Sequence, residues 1–216
     1  MRASSGELDD RFSVSRINST LGKNFIREHH YSHGCHNGPM TWGLFDKEAL
    51  TLIGVIAFAT PCSENVRRCV FGPGREHNVT ELHRLVILDG TPSNTESWFI
   101  VRALRLLKER KPDIQAVLSF ADSSEGHYGT IYQATNALFT GSTGRSRFYL
   151  DPDGRLRHPR QNGHNVTPQE AAAKGWTSTM RDSKFRYLYL LGSPSERRRL
   201  RKEIILAPRP YPRKGN

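Results

Sequence analysis

The chain has 216 residues, of which 36% are hydrophobic and 25% are charged, so its length suits one globular domain or one domain with an appendage. Its longest apolar run, Leu52 to Ala59, is far shorter than the roughly 20 residues of a membrane helix, which excludes a spanning protein. Three cysteines without CxxC spacing and a polar first ten residues favour neither a disulfide framework nor a secretory signal, and we expect a cytoplasmic protein.

Charge is distributed unevenly along the chain. The 32 Lys and Arg residues exceed the 21 acids by 11, an excess that is typical of a nucleic-acid partner. Residues 1–150 hold 17 basic and 15 acidic residues, whereas residues 151–216 hold 15 and 6. The last third includes one basic run, made up of Arg197, Arg198, Arg199, Arg201 and Lys202. This run predicts a DNA-binding surface, although a merely solvated helix face would have the same composition.

The first predicted elements are strands. Residues 41–45 and 50–60 are rich in β-forming residues and predict a hairpin that turns at residues 46–49. The alternating run at 81–88 predicts a central strand, which ends at an Asp-Gly turn. Capping residues and spaced apolar positions predict a helix over 95–109, and a second buried strand follows at 114–121. A strand, a helix and a strand with short joins predict a right-handed βαβ unit with two parallel strands.

The second half of the chain is predicted to contain both helices and strands. A short helix is expected over residues 130–138, closed by Gly141. The Asp-Pro-Asp-Gly sequence at 151–154 predicts a hairpin turn, and residues 185–191 predict a last strand before a basic helix and an extended Pro-rich tail. The expected class is α/β or α+β with a mixed sheet. We expect residues 1–150 to form the catalytic core, and residues 151–216 to complete the same domain with a hairpin, the last strand and a basic tail.

Polar residues follow both strands of the predicted βαβ unit. Ligands of open α/β sheets bind beyond the carboxyl ends of the parallel strands. The first end leads into a helix N-terminus that suits a phosphate, with Ser97 in its first turns, although an ordinary capped helix is equally consistent. The second end carries Asp122, with Glu125, His127, Tyr128 and Tyr132 close behind it. These side chains can move protons or bind a metal, whereas a lone Asp there is as often a helix cap.

A third cluster is rich in histidine. Residues 29–36 read His-His-Tyr-Ser-His-Gly-Cys-His, and imidazole and thiolate are common ligands of zinc and iron. The spacing does not match a zinc finger. A solvent-facing loop is the alternative interpretation.

Taken together, these motifs resemble the phage Mom family of DNA-modification proteins. The resemblance is carried by His30-Tyr31, by Glu81-Leu82-His83-Arg84-Leu85, by Ser97, by Ser119-Phe120-Ala121-Asp122 and by the run from Gly126 to Asn136. It extends over residues 25–145 and weakly into the last strand and tail. The family is related to the GNAT acyltransferase superfamily, so the resemblance implies a GNAT-like fold with a mostly antiparallel central sheet, a parallel βαβ unit and flanking helices. Here residues 89–97 replace the glycine-rich acyl-CoA loop of that superfamily.

The resemblance also implies an activity and a set of site residues. The activity is conversion of adenine in double-stranded DNA to an N6-carbamoylmethyl derivative, which protects phage DNA from host restriction in the infected bacterial cytoplasm. Carried over by motif, His30, Tyr31, Asp122 and Tyr132 would form the reaction centre. Arg84 and Ser97 would hold acetyl-CoA or a related acyl donor, or would support the site. Iron is also associated with the family, and Tyr31, Asp122 and Tyr132 are the oxygen ligands that the motif offers.

Adenine chemistry requires that the base leave the stack, and Tyr31, Tyr128, Tyr132 and Trp42 are expected to hold it. Double-stranded DNA is the expected partner, no membrane is expected, and a homo-oligomer is left open. Two other functions remain open from the sequence: a conventional GNAT acetyltransferase acting on a protein or small-molecule amine, and a basic DNA-binding protein without chemistry.

Overall fold

A computed structural model describes residues 3–31, 33–35, 38–61, 63–123, 126–161 and 164–213. In these ranges the helices are α1 (Ser5–Arg11), α2 (Ser19–His29), α3 (Glu64–Phe71), α4 (Thr95–Arg110), α5 (Thr130–Ala134), α6 (Pro168–Ala173) and α7 (Pro194–Glu203). The strands are β1 (Phe12–Ile17), β2 (Met40–Asp46), β3 (Thr51–Ala59), β4 (Val79–Ile87), β5 (Ala116–Asp122), β6 (Leu138–Ser142), β7 (Ser146–Leu150), β8 (Leu156–Arg157), β9 (Arg160–Gln161), β10 (His164–Asn165), β11 (Thr177–Arg181) and β12 (Lys184–Leu190). None of the helices in these ranges is long and apolar enough to cross a membrane.

The central sheet has seven strands in the order β1-β2-β3-β4-β5-β12-β6. Its neighbours pair antiparallel except β4 and β5, which are parallel and are connected through α4. The predicted class is therefore confirmed: a mixed α/β fold with a mostly antiparallel sheet and one parallel βαβ unit. The last strand, β12, lies between β5 and β6 and so is an internal strand of this sheet. That residues 1–150 and 151–216 fold as one domain stays a prediction.

Alternation along the strands supplies both faces of the sheet with apolar side chains. Val117 of β5 belongs to the main core, where it joins Phe99, Ile100 and other residues of α4. Leu118 points to the opposite face and packs with residues of α3 and α7, including Leu200. The sheet is therefore covered by helices on both faces, and β5 is buried along its whole length except at Phe120.

Pairing between β4 and β5 stops halfway along β4. The parallel ladder joins Val79–Leu82 to Ala116–Ser119, and no pair follows it in the described ranges. The register between β3 and β4 shifts at the same point, because Ala57 faces Arg84 whereas Phe58 faces Leu82. The extra residue, His83, forms a β-bulge, which bends a strand and increases its twist. The carboxyl ends of β4 and β5 therefore separate, and a cleft opens between them.

Residues 143–183 form an insert between β6 and β12. In it, β7 pairs with both β11 and β8 to give a three-stranded sheet. The predicted hairpin is confirmed, and Asp151 closes its turn by accepting hydrogen bonds from the backbone N–H groups of Asp153 and Arg155. One face of the small sheet is covered, since Tyr149 packs with Val166, Ala171 of α6 and Trp176.

The predicted helix over residues 130–138 is wrong in its second half. The helix ends at Ala134, and a turn with Asn136 at φ 58° leads into β6, which contains Leu138 and Gly141. Leu138 and Phe139 pair with β12, so tertiary pairing determines the conformation of this apolar stretch. The elements α1, β1, α2 and α3 are not predicted from the sequence. They are 6 to 11 residues long and lack the long apolar runs on which the other predictions depend.

The loop after β5 is held against Tyr187, and this contact generates a stability prediction. The backbone carbonyl of Tyr128 accepts hydrogen bonds from the Tyr187 hydroxyl and the Gln133 amide. A Cβ on Gly129, at φ +68°, would lie 2.4 Å from the Tyr187 ring. Gly126 is also left-handed, at φ +70°, but a Cβ there meets nothing within 4 Å.

We expect Gly129→Ala to lower the free energy of unfolding by about 2 to 5 kcal/mol, because backbone strain and overlap with a packed ring add together. Gly126→Ala is the matched control and should cost only the strain, about 1 to 2 kcal/mol. Denaturant unfolding of both variants measures the difference. Equal destabilisation of the two variants would contradict a close approach of Gly129 to Tyr187.

Candidate functional site

The separated ends of β4 and β5 enclose a cleft of about 710 Å³. Residues of α2, β4, β5 and the loop that leads into α5 form its walls. The cleft is lined by all four residues that the sequence predicts to form the reaction centre, namely His30, Tyr31, Asp122 and Tyr132. Positions separated by up to 102 residues in the chain thus share one cavity.

His30 ends α2 and is buried beside the cleft. The residue is only 9% exposed, and its backbone N–H caps the helix by donating to the Ile26 carbonyl. Burial lowers the pKa of His30 to about 4, and the positive charge of Arg84 and neighbouring histidines act in the same direction. The imidazole is therefore neutral at neutral pH and can accept a proton or hydrogen bond through a ring nitrogen.

Tyr31 presents its ring at the mouth of the cleft. The ring stacks on His30 with centroids 4.4 Å apart, and it lies 6.0 Å from the ring of His127. Tyr31 remains 60% exposed despite these contacts. An exposed aromatic ring fixed by stacking can receive a second flat ring from solvent.

Asp122 is the last residue of β5 and is paired with two cations. Its Oδ2 atom lies 3.1 Å from Nη2 of Arg181 and 3.4 Å from Nζ of Lys184. The residue is 6% exposed, and its backbone carbonyl accepts from the His127 N–H. A buried carboxylate is stable when it is paired in this way. Asp122 therefore joins the end of β5 to the insert.

Tyr132 lies on α5 and forms part of the cleft wall. Its ring packs against Tyr187 at 5.3 Å and Tyr189 at 6.5 Å between centroids. Burial raises the pKa of the Tyr132 hydroxyl far above its ordinary value. The hydroxyl therefore stays protonated at neutral pH and serves as a hydrogen-bond donor.

The two residues predicted to bind an acyl donor occupy different positions. Arg84 lines the cleft, but its guanidinium donates to the carbonyls of Gly34 and His83, both at 2.7 Å. It thereby fixes Gly34 against β4. Ser97 is not among the cleft-lining residues, and its hydroxyl donates to the Asn94 carbonyl at the start of α4. Glu96 is the residue of that first turn that reaches the cleft.

The side chains predicted as iron ligands do not fit an iron site in the arrangement that the described residues adopt. Asp122, one of the three, is engaged with two cations. Within the described ranges, no group of three or more His, Cys, Asp or Glu side chains is arranged to hold a metal. Three residues of the predicted clusters, Ser32, His36 and Glu125, lie outside the described residues.

The predicted DNA-binding run lies away from the cleft. All five of its cations are exposed on α7, and Arg199 pairs with Glu203. Glu203 also pairs with Arg75, which donates to Gln115 just before β5 begins. The cleft is at the other end of β5, about 20 Å away for a strand of this length. The structure does not bring the basic run and the candidate site together.

Two further outcomes concern residues around the cleft. Trp42, expected to hold an extruded base, is instead 3% exposed and packs edge-on against Phe58 in the main core, so that prediction is wrong.

Arg181 and Lys184 are site residues that the sequence does not identify. Their partner, Asp122, is 59 and 62 positions away, and no local motif reports such a contact.

Comparison with known proteins identifies the family. The sequence pattern of the Mom protein family matches residues 11–213. The chain belongs to the Mom protein family. A curated Mom relative, the methylcarbamoylase mom of Escherichia phage Mu, is 33% identical over 146 residues, which are 67% of this chain and 59% of that protein.

Solved structures with a similar arrangement are acetyltransferases. This Mom family chain aligns with a spermidine/spermine N-acetyltransferase of Vibrio cholerae at 10% identity and a TM-score of 0.48, covering 90% of this chain and 98% of that one. An N-acetyltransferase of Staphylococcus aureus aligns at 9% identity and a TM-score of 0.48, covering 84% and 99%.

The neutral state of His30 predicts a pH dependence of stability. The unfolded chain takes up a proton on this imidazole near pH 6.5, whereas the folded protein does so only near pH 4. Stability from this group is therefore complete above about pH 6.5 and is lost as the pH falls toward 4. We expect the difference in unfolding free energy between the native protein and His30→Gln to shrink over that interval.

Urea unfolding at several pH values measures this difference. His77→Gln removes an exposed imidazole and controls for removal of a histidine elsewhere. A His30→Gln difference that stays constant from pH 7 to pH 4 would contradict a buried neutral His30.

Proposed function

We propose that this protein is a DNA-modifying transferase that converts adenine in double-stranded DNA to an N6-carbamoylmethyl derivative. The observation that carries the proposal is the cleft, in which a buried neutral His30, an exposed Tyr31 ring and a protonated Tyr132 come together. Family membership and the methylcarbamoylase name of the phage Mu relative support it. Protection of phage DNA in the cytoplasm of the infected host would be the biological result.

Tyr31, His30 and Tyr132 have different roles in the proposed reaction. Adenine must leave the helix stack to reach an enclosed site, and the exposed Tyr31 ring offers a surface on which it stacks. A carbamoylmethyl product has an N6–CH2 bond, so the donor must carry its leaving group on that CH2 carbon. As the N6–CH2 bond forms, the bond from this carbon to the leaving group breaks and N6 loses a proton, for which the neutral His30 imidazole is an acceptor. The protonated Tyr132 hydroxyl donates a hydrogen bond to the charge that develops on the leaving group.

An extended donor related to acyl-CoA, with the carbamoylmethyl carbon bonded to its leaving group, suits the separated strands. After Leu82, the side of β4 that faces β5 is without a paired strand in the described part of the chain, so its backbone groups are available to an extended ligand. The 16-residue helix α4 begins beside this edge, and a helix N-terminus attracts phosphate groups. Asn94 at φ 77° enters α4 here in place of a glycine-rich loop.

A matched pair of tyrosine variants tests the chemistry. We expect Tyr132→Phe to lower adenine modification by on the order of 10²-fold, because loss of one hydrogen bond to charge that develops in the transition state has an effect of that size. Tyr189→Phe is the control, since its hydroxyl bonds to Thr135 and it does not line the cleft. Nucleoside mass spectrometry of DNA from cells that express each variant measures the product. Full modification by Tyr132→Phe would exclude this hydroxyl from the reaction.

The same measurement separates the proposal from the two functions left open by the sequence. Acetylated peptide or amine in the absence of DNA would favour a conventional acetyltransferase. DNA binding without any modified nucleoside would favour a binding protein.

The basic run on α7 predicts a salt effect on DNA binding. If Arg197, Arg198, Arg201 and Lys202 bind phosphates, replacing them with Gln should flatten the log–log salt dependence of the binding constant by about 0.9 for each phosphate that is no longer neutralised. Titrations at several salt concentrations measure this slope. An unchanged slope would leave the run as a solvated helix face.

A further inference from the structure

The three-stranded insert sheet has one face covered by α6 and one open face. The open face carries an aromatic ring that packs in none of the hydrophobic clusters. Tyr149 of β7 points to the face covered by α6, so Phe148 points to the opposite face. Phe148 is half-buried, and it belongs to none of the hydrophobic clusters of the described residues. Its ring instead meets His158 edge-on at 5.1 Å.

This ring is linked directly to the cleft. Arg181 shares the open face, and its guanidinium carbon lies 5.7 Å from the centre of the Phe148 ring. The same guanidinium holds Asp122, which lines the cleft, at 3.1 Å. A continuous series of contacts therefore leads from the cleft through Arg181 to Phe148 and His158. We refer to Phe148, His158, Thr179 and Arg181 as the Phe148 platform.

The charge of the insert favours a polyanionic partner. Residues 143–183 hold seven Lys and Arg residues and four acids. Each of these acids is already engaged within the insert, in the pairs Asp151–Arg157, Asp153–Arg155, Asp182–Arg145 and Glu170–His164. In the described part of the chain, Arg160 pairs with no acid. On the open face itself, the charge next to the Phe148 ring is that of Arg181. Arg147, which faces Met180, lies on the opposite face of the sheet. A net positive segment that presents an aromatic ring next to an arginine is an arrangement that binds unstacked nucleic-acid bases.

We propose that the Phe148 platform binds the DNA strand that flanks the modified adenine, with an unstacked neighbouring base on the Phe148 ring. This inference rests on the proposed function, because it takes DNA as the substrate. Extrusion of one base disrupts stacking on both of its neighbours. A ring outside the cleft, connected to it by Arg181, lies where such a neighbour can be held while the adenine is in the cleft.

The experiment compares two DNA probes of equal length, one fully paired and one with a central unpaired bubble that contains adenine. We expect the native protein to bind the bubble more tightly than the paired duplex. The usual strength of base–aromatic stacking predicts that Phe148→Ala weakens bubble affinity by on the order of 10-fold. Affinity for the fully paired duplex and the salt slope should change little, because they depend on phosphates. Phe148→Tyr keeps a flat ring and should retain bubble affinity.

Met180→Ala is the matched control, because Met180 is a 50% exposed residue of β11 on the opposite face of the same sheet. Phe148→Leu, together with thermal unfolding of every variant, separates an effect on stacking from an effect on folding. If the native protein binds DNA and modifies adenine but Phe148→Ala and Phe148→Leu bind the bubble as Met180→Ala does, the platform is overturned and the proposed function stands. If the native protein binds neither probe, both are overturned.

Discussion

The interrupted pairing of β4 and β5 is the constraint on which the site depends. Two parallel strands that pair over their full length leave no space between them, and here pairing ends at Leu82 and Ser119. The bulge at His83 keeps β4 paired to β3 while it turns away from β5. The cleft is therefore part of the backbone architecture, and it does not require the displacement of side chains from a packed core. Helices α2 and α5 then close it with His30 and Tyr132.

Burial determines what these two side chains can do. Desolvation disfavours the charged form of any group, so it lowers the pKa of an imidazole and raises that of a phenol. His30 becomes a neutral acceptor and Tyr132 a permanent donor for the same reason. Neither effect needs a nearby opposite charge. The cations Arg181 and Lys184 near the cleft are engaged by Asp122, which limits their influence on the two groups.

The sequence predicts those parts of the fold in which the conformation favoured by the local sequence is also the one that tertiary contacts require. The βαβ unit has long apolar runs and capped ends, and the Asp-Pro-Asp-Gly turn uses its own side chain to close the hairpin. Prediction fails where distant pairing decides the conformation, as for β6, whose apolar residues have the pattern of a helix end. Motif resemblance identifies the four residues that share the cleft. It cannot show that Asp122 is paired, that Trp42 is buried, or that Ser97 caps its own helix.

The ion pairs of Asp122 change how this residue is interpreted. A carboxylate at the end of a buried strand is a candidate for a base, and this one also holds two cations, from β11 and β12, so it connects these strands to the end of β5. Breaking one partner of a buried pair leaves an uncompensated charge, which costs more than the pair contributes. The insert is therefore tied to the end of β5 at the very residue that lines the cleft. This arrangement couples the position of the insert to the shape of the site, and it explains why one side chain, Arg181, contacts both the cleft carboxylate and the open aromatic face.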